Sequence, residues 1–285
     1  GGGGGGGGRR SPCAGQRRGG AMVLTEMLAY LGTGILSGLL AGLLGVGGGV
    51  IIVPALILVF GHLGFAPAWL AHLAVGTSLA SIIGTGWSST LAHHRRGAVQ
   101  WDLFLRLVPG IILGAWAGAA IAALLPQVGL QRLFGGFLCY VGVRMLWPRR
   151  QGTHQTRPGK WGMALAGGGI GALSAIVGIG GGTLTVPYLV RTGLDLRQAV
   201  ATSSACGVPI ALAGALGFVI SGWGREGLPA MSTGFVYWPA VLGILITSVP
   251  MAPLGARLAH RLPVPLLSRI FGTLLLLMAA KLLLG

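Results

Sequence analysis

Residues 38–54, GLLAGLLGVGGGVIIVP, and residues 171–187, GALSAIVGIGGGTLTVP, follow one pattern in which an apolar run meets a glycine triplet and then a proline. A glycine triplet within apolar sequence interrupts a helix, because glycine adopts conformations that other residues avoid. The backbone N–H and C=O groups that the break frees find no partner in hydrocarbon, so the break persists only inside protein or beside a polar cavity. Paired breaks in the two halves of a membrane protein are typical of a transport site.

The composition predicts a polytopic membrane protein. The mean hydropathy is +0.80, and only 8% of the 285 residues are charged, whereas a soluble domain carries about a quarter charged residues. Successive apolar runs approach the roughly 20 residues that span a bilayer. The short runs after the two glycine triplets are either full spans or re-entrant half-helices. We therefore expect an all-α fold with eight to ten helical segments, placed in the cell (inner) membrane.

The formal net charge of +16 does not indicate a nucleic-acid-binding protein. The basic residues stand in short loops between apolar runs, as the positive-inside bias of membrane proteins predicts. Cys13, Cys139 and Cys206 are far apart and form no metal-binding or redox spacing. We expect no cofactor, no metal and no nucleic acid.

The duplication extends beyond the glycines. Residues 74–78, AVGTS, match residues 199–203, AVATS, at an offset of 125. Further matches at a constant offset of 137 include Gly97 with Gly234, Trp101 with Trp238, Gly118 with Gly255, Pro126 with Pro263 and Arg132 with Arg269. Ordered matches of Trp, Pro and Arg at one offset predict two copies of one unit.

Four segments follow from this pattern. Residues 22–147 form a first transmembrane repeat and residues 161–285 a second one, joined by a basic cytoplasmic linker at residues 148–160. Residues 1–21 are a glycine- and arginine-rich stretch, which we interpret as a disordered tail or as a start placed before the true one at Met22.

Loop charge favours an inverted relation between the two repeats. Of the 20 Lys and Arg residues, four lie in the tail, and with five crossings per repeat the other sixteen divide thirteen inside to three outside. With four crossings the repeats are parallel, and the same residues divide ten to six. The inverted arrangement therefore gives the stronger excess of Lys and Arg residues in the inside loops.

The breaks predict an anion site. If each copy breaks at its glycines, Val50 and Thr183 begin short helices whose free N–H groups and positive dipole ends face the interior, and such helix ends bind anions. The Thr-Ser pairs on the next helices either donate to the substrate or bond to neighbouring backbone. The candidate substrate-binding residues are Gly47, Gly48, Gly49, Pro54, Thr77, Ser78, Gly180, Gly181, Gly182, Pro187, Thr202 and Ser203.

Acidic residues are too few for a carboxylate-built cation site. The chain has four, Glu26, Asp102, Asp195 and Glu226. Glu26 falls at the start of the first apolar run, where an interfacial position is favoured over a proton-carrying role. The sequence also lacks a recognisable nucleophile motif, so we do not expect an enzyme.

The two glycine–proline motifs, each followed by an Ala-x-x-Thr-Ser stretch, resemble the sulfite exporter TauE/SafE family of membrane permeases over nearly the whole chain from Met22. The resemblance implies a duplicated multi-pass cell-membrane protein that moves sulfur-containing anions such as sulfite, sulfoacetate, thiosulfate or another organosulfonate.

We therefore expect a secondary transporter, acting as an exporter, that works by alternating access between two repeats. Its partners are the lipid bilayer and a small anion. The sequence does not distinguish a monomer from a homo-oligomer. The alternative is a membrane sensor or assembly partner in which the glycine motifs serve helix packing only.

Overall fold

The computed structural model describes residues 13–45, 48–147, 159–258 and 264–284, and the description that follows concerns these residues. They contain ten α-helices and one short β-hairpin. The helices are α1 (Cys13–Leu44), α2 (Gly49–His62), α3 (Leu70–His94), α4 (Trp101–Leu124), α5 (Gln127–Leu146), α6 (Lys160–Val177), α7 (Gly182–Arg191), α8 (Leu196–Gly222), α9 (Trp238–Leu258) and α10 (Val264–Leu284). Strands β1 (Ser232–Thr233) and β2 (Val236–Tyr237) pair antiparallel between α8 and α9. The expected all-α fold is confirmed.

Two of the predicted segments, the tail and the linker, lie largely outside the described residues. The linker lies outside the described residues except for Gly159 and Lys160. Residues 1–12 of the predicted tail also lie outside them, but residues 13–21 are helical, because α1 begins at Cys13 and continues into its apolar segment. Helix elongation adds one hydrogen bond per residue once a turn exists, which favours such an extension.

The helices have the dimensions and surfaces of membrane spans. Among the described residues, five helical segments are long and apolar enough to cross a bilayer: Thr25–Leu43, Pro67–His94, Trp101–Leu124, Leu196–Gly222 and Trp238–Leu258. Large apolar side chains remain on the outside, with Leu113 73% and Leu165 78% exposed. Exposed apolar surface of this kind suits contact with lipid rather than water.

In both glycine motifs, the glycines on either side of the helix break have positive φ. Gly45 and Gly178, which follow α1 and α6, have positive φ of 65° and 75°. Gly48 and Gly181 stand before α2 and α7, and both have φ 76° and ψ −14°. Residues with a Cβ rarely adopt this left-handed conformation, which explains why glycine occupies these four positions.

The chain reverses at the first break. One cleft is lined by residues near the start of the apolar part of α1 and by residues at the end of α2, namely Thr25, Glu26, Ala29, Leu58, Val59, His62 and Leu63. Helix α2 therefore returns to the side from which α1 comes. The two short runs that follow the glycine triplets form separate helices, 14 residues long in α2 and 10 residues long in α7.

Small residues let helices of opposite halves pack backbone against backbone. Helix α1 packs along α9, and α6 packs along α4. Across α1 and α9, an added Cβ at the small positions would overlap the partner backbone in the pairs Gly34 with Ile244, Gly38 with Ser248 and Gly42 with Ala252. Across α4 and α6, the corresponding pairs are Gly110 with Ala164, Gly114 with Gly168 and Gly118 with Ala172. Close approach at small residues is the usual source of helix association in lipid.

Contacts between loops sort the helix ends into two groups. At the end of α3, the Arg96 guanidinium donates to the carbonyl of Ala256 near the end of α9, with N···O 2.6 Å. At the start of α3, the Ala71 N–H donates to the Gln127 side chain at 2.8 Å, and the Arg225 guanidinium lies over the Trp69 ring, 5.4 Å from its centroid. The α3–α4 loop and the end of α9 therefore lie at one end of the molecule, and the α4–α5 and α8–α9 loops at the other.

The packing of α6 predicts opposite effects for two nearby glycines. Replacing Gly171 by Ala places a Cβ against the backbone of Ile111, and we expect the free energy of unfolding to fall by about 1–3 kcal/mol. Gly169→Ala meets no atom within 4 Å and should stabilise the helix by up to about 1 kcal/mol. Thermal unfolding of the detergent-solubilised variants measures both effects. Equal stability of the two variants would contradict the close α4–α6 contact.

Candidate functional site

The two helix breaks meet in the interior. A Cβ added to Gly49, the first residue of α2, would overlap the carbonyl oxygen of Gly178 and come within 2.9 Å of the Ile179 Cα. A Cβ added to Gly178 would approach the Val53 side chain to 2.9 Å. Because the second break touches the first turn of α2, the freed backbone groups of both breaks are concentrated in one buried region.

Serine hydroxyl groups cap the carbonyl ends of both breaks. Ser78 Oγ on α3 donates to the Gly178 carbonyl at 2.9 Å, and Ser203 Oγ on α8 donates to the Gly45 carbonyl at 3.3 Å. Both serines are fully buried. Each serine comes from the half that does not contain the carbonyl it caps, so the two caps are reciprocal.

The neighbouring threonines accept hydrogen bonds across the same boundary. The Tyr237 N–H, just before α9, donates to Thr77 Oγ1 at 3.0 Å. The Gln100 N–H, just before α4, donates to Thr202 Oγ1 at 3.0 Å. The structure thus places all four hydroxyl groups of the predicted Thr-Ser pairs on backbone groups of the opposite half. Direct contact between these hydroxyl groups and a substrate stays a prediction.

The amide ends of the breaks carry no such caps. The N-cap positions of α2 and α7 are Gly48 and Gly181, which have no side chain to accept a hydrogen bond. The first bonded amides of α7 belong to Leu184 and Thr185, which donate to the Gly181 carbonyl at 3.0 and 2.8 Å. The N–H groups of Gly182 and Thr183 precede this turn, where helix geometry provides no internal acceptor.

The first break has the same arrangement at its amide end. Ile51 and Ile52 donate to the Gly48 carbonyl at 3.1 and 3.2 Å, so that the N–H groups of Gly49 and Val50 precede the first bonded turn. One carbonyl at each break is capped, and the first amides have no hydrogen-bond partner within the described residues, so each break presents hydrogen-bond donors and the positive end of a helix dipole. This combination favours an anion.

Carboxylates lie away from the breaks. All four acidic residues of the chain are described, and Asp102, Asp195 and Glu226 are exposed while Glu26 is only half-buried. Among the described residues, His, Cys, Asp and Glu side chains form no group of three that could hold a metal ion. Without a buried carboxylate, the interior offers no negative charge that would repel an anion.

The predicted site residues separate into three sets. Gly48, Gly49, Gly180, Gly181 and Gly182 are buried at the breaks, as are the Thr-Ser pairs that hold them. Gly47 lies outside the described residues. Pro54 and Pro187 lie inside α2 and α7; because proline has no N–H, the helix bonds to the carbonyls four residues earlier are absent.

Sequence reasoning missed a polar cluster at the second break. The hydroxyl oxygens of Ser174, Thr183 and Thr185 are buried and make no hydrogen bond within the described part of the chain. Nearby, a cleft of about 190 Å³ is lined by residues of α5 and α7, including Tyr140, Arg144, Gly182, Thr183 and Pro187. Comparing the two motif copies position by position was the available signal, because the first copy has Ala41, Val50 and Ile52 at the three hydroxyl positions.

Comparison with known proteins identifies similar membrane proteins. The family model described as Sulfite exporter TauE/SafE matches residues 30–282. A "Probable membrane transporter protein" of Haemophilus influenzae is 34% identical over 258 residues, which cover 90% of this chain and 98% of the relative. A protein of Xylella fastidiosa with the same description is 30% identical over 267 residues, covering 90% of this chain and 95% of the relative.

A more distant relative is the "Probable membrane transporter protein YdhB" of Bacillus subtilis, 26% identical over 246 residues and covering 84% of this chain and 93% of the relative. No solved structure matches the chain.

The serine caps predict a position-specific loss of stability. Ser78→Ala removes the donor to the Gly178 carbonyl, and leaving a buried acceptor without a partner costs about 1–3 kcal/mol. Ser81→Ala is the matched control, because this equally buried serine donates to Thr77 O of its own helix at 2.9 Å. Thermal unfolding in detergent should show the larger loss for Ser78→Ala. Equal losses would mean that the cap does not hold the break.

Proposed function

The chain belongs to the sulfite exporter TauE/SafE family, and we propose that it is a secondary transporter that exports a small sulfur-containing anion, such as sulfite, thiosulfate or an organosulfonate, across the inner (cell) membrane. The family and the names of the relatives indicate a multi-pass membrane transporter rather than an enzyme. The proposal adds the substrate class, the direction and the site.

One observation carries the proposal: at both breaks the carbonyl end is capped and the amide end is open. Ser78 and Ser203 donate to the Gly178 and Gly45 carbonyls, whereas Gly48 and Gly181 leave α2 and α7 without side-chain caps. Uncapped amides in a buried region attract an anion. A cation would instead require the carbonyl oxygens to be free or carboxylates to be near.

The role of the predicted site residues follows from this asymmetry. In our proposal the glycine triplets bind the anion through backbone N–H groups, and Pro54 and Pro187 loosen the first turns of α2 and α7. The Thr-Ser pairs, Thr77-Ser78 and Thr202-Ser203, hold each break against the opposite half. The lipid bilayer and the anion are the partners, and the driving force is the membrane potential, a proton gradient or the gradient of the anion.

We further propose that residues 22–147 and 161–285 are inverted repeats that rock against each other. Two observations support this proposal. Helix α1 packs on α9 as α6 packs on α4, and the serine caps are reciprocal. The contact of Arg96 with the Ala256 carbonyl also agrees with the inverted arrangement, which puts the α3–α4 and α9–α10 loops on one side. Alternating access at a site between such repeats is a common transport mechanism.

The second candidate function is a membrane sensor or assembly partner. A specific observation favours it: added Cβ atoms at Gly45 and Gly49 would come against the backbone of Val200 and Gly178, so these glycines also permit close packing. A packing role alone requires neither anion binding nor flux, which separates the two candidates experimentally.

Flux through purified protein tests the transporter proposal. Liposomes that contain the full chain and are loaded with sulfite should release it faster than protein-free liposomes, and thiosulfate and sulfoacetate should be compared in the same way. Gly48→Ala, at φ 76°, should reduce release because the left-handed conformation costs a residue with a Cβ about 1–2 kcal/mol.

Gly61→Ala, in the same helix with no atom within 4 Å of the added Cβ, should retain the parent rate. Release no faster than from protein-free liposomes would exclude export of these anions and leave the packing role.

Labelling of single cysteines tests the inverted arrangement. In a chain whose three cysteines are replaced, cysteines at Arg95 and at Arg257 should react with an impermeant maleimide from the cytoplasmic side. A cysteine at Arg225 should react from the opposite side, because the α8–α9 loop lies near the start of α3. Reaction of Arg95→Cys and Arg257→Cys from different sides would support parallel repeats instead.

A further inference from the structure

We propose that the second break is the primary anion-binding site, formed by the N-terminus of α7 together with the hydroxyl groups of Ser174, Thr183 and Thr185. The inference rests on the proposed function, since it places the substrate anion within the glycine region, and it assigns unequal roles to the two breaks. The ligand class is a small oxyanion whose oxygens accept hydrogen bonds from neutral donors.

Three unpartnered hydroxyl groups surround the start of α7. Ser174 is 2% and Thr185 0% exposed, and the hydroxyl oxygens of both, and of Thr183, form no hydrogen bond within the described part of the chain. Burying a hydroxyl group without a partner costs about 1–3 kcal/mol. Such groups are rare in folded proteins, so three around one helix end point to a ligand that binds them.

Two of the three hydroxyl groups lie beside Gly181. A Cβ placed on this glycine would overlap the end of the Ile210 side chain and would lie 3.3 Å from Thr185 Oγ1 and 3.5 Å from Ser174 Oγ. Both oxygens therefore adjoin the residue after which α7 begins, beside the N–H groups of Gly182 and Thr183 that precede the first bonded turn. Backbone and hydroxyl donors thus occupy one small volume, as an oxyanion with several acceptor oxygens requires.

At the first break the buried hydroxyl group is already partnered, because Ser37 beside Gly48 donates to the Gly34 carbonyl at 3.2 Å. At a constant offset of 133, Ser174, Thr183 and Thr185 correspond to Ala41, Val50 and Ile52. The backbone turn is the same in both copies, since Gly48 and Gly181 share φ 76° and ψ −14°. The two breaks therefore differ in side-chain chemistry although Gly48 and Gly181 share one conformation, and within the described residues only the second adds unpartnered hydroxyl groups to its open amides.

A cleft with a positive charge leads to the same helix end. Gly182 and Thr183 line the cleft of about 190 Å³ together with Arg144 of α5. The Arg144 guanidinium donates to the Tyr140 hydroxyl at 3.0 Å in an exposed hydrogen bond. A cation in a cleft raises the local concentration of anions. We therefore assign to Arg144 the attraction of the anion into the cleft, and to the neutral donors its binding.

Neutral donors suit a substrate that must also leave. Conduction and transport need a site that binds strongly enough to select and weakly enough to release. Hydroxyl and amide groups select an anion through the geometry of their hydrogen bonds, whereas a direct ion pair in a buried site would hold the anion much more strongly.

Calorimetric titration of the detergent-solubilised full chain tests the inference. The probes are the sodium salts of sulfite, thiosulfate, sulfoacetate, nitrate and acetate. The double variant Ser174→Ala, Thr185→Val should bind the preferred anion about tenfold more weakly or worse, because it loses two charge-assisted hydrogen bonds. Thr185→Ser, which keeps the hydroxyl group, should bind within about twofold of the parent.

The matched controls are Ser81→Ala and Thr192→Val, which remove buried hydroxyl groups that already donate to Thr77 O and Leu189 O. They should leave affinity unchanged. Thermal unfolding identifies any variant that fails to fold. If the double variant does not fold, the affinities of the single variants Ser174→Ala and Thr185→Ser are compared with that of the parent.

The outcomes separate this inference from the proposed function. Parent-like affinity in the folded double variant would overturn the inference, and sulfite release from liposomes would still support the transporter. Binding of nitrate or acetate alone, lost in the double variant, would support the site and exclude the sulfur assignment. No binding of any probe by the parent would overturn the site.

Discussion

The interior of this protein depends on satisfying backbone groups where two helices stop inside apolar surroundings. Hydrocarbon offers no partner for a free carbonyl or amide, and a buried polar group without a partner is costly. The carbonyls of Gly45 and Gly178 receive donors from Ser203 and Ser78. Since each serine belongs to the opposite half, the association of the two halves supplies a hydrogen-bond donor to one carbonyl in each break.

This reciprocity explains why the electrostatics of the centre are one-sided. The serine hydroxyl groups each donate to one carbonyl where α1 and α6 end, whereas α2 and α7 start after glycines that provide no cap. A helix end carries roughly half an elementary charge, so two uncapped amide ends favour an anion without any buried Lys or Arg. The exposed positions of Asp102, Asp195 and Glu226 leave that preference unopposed.

Glycine serves two purposes in the same motif. Gly48 and Gly181 adopt a left-handed conformation, while Gly49 lets the start of α2 touch the Gly178 carbonyl. Close packing and open amides are compatible at this position. The contact between Gly49 and the Gly178 carbonyl leaves no space for a Cβ, and the same contact brings the two breaks together. The small residues along α1–α9 and α4–α6 extend the same principle to the whole helix length.

The sequence alone determined the membrane class, the all-α fold and the two breaks, because apolar length, charge and glycine conformation are local properties. It also located the Thr-Ser pairs, but only the tertiary structure decided what they contact, since Ser78 and Gly178 are 100 residues apart and Ser203 and Gly45 are 158 apart. Likewise, Ser174 and Thr185 read as ordinary helix residues until folding buries them beside Gly181 without a partner. Hydrogen-bond satisfaction is a property of the packed interior, and no local pattern encodes it.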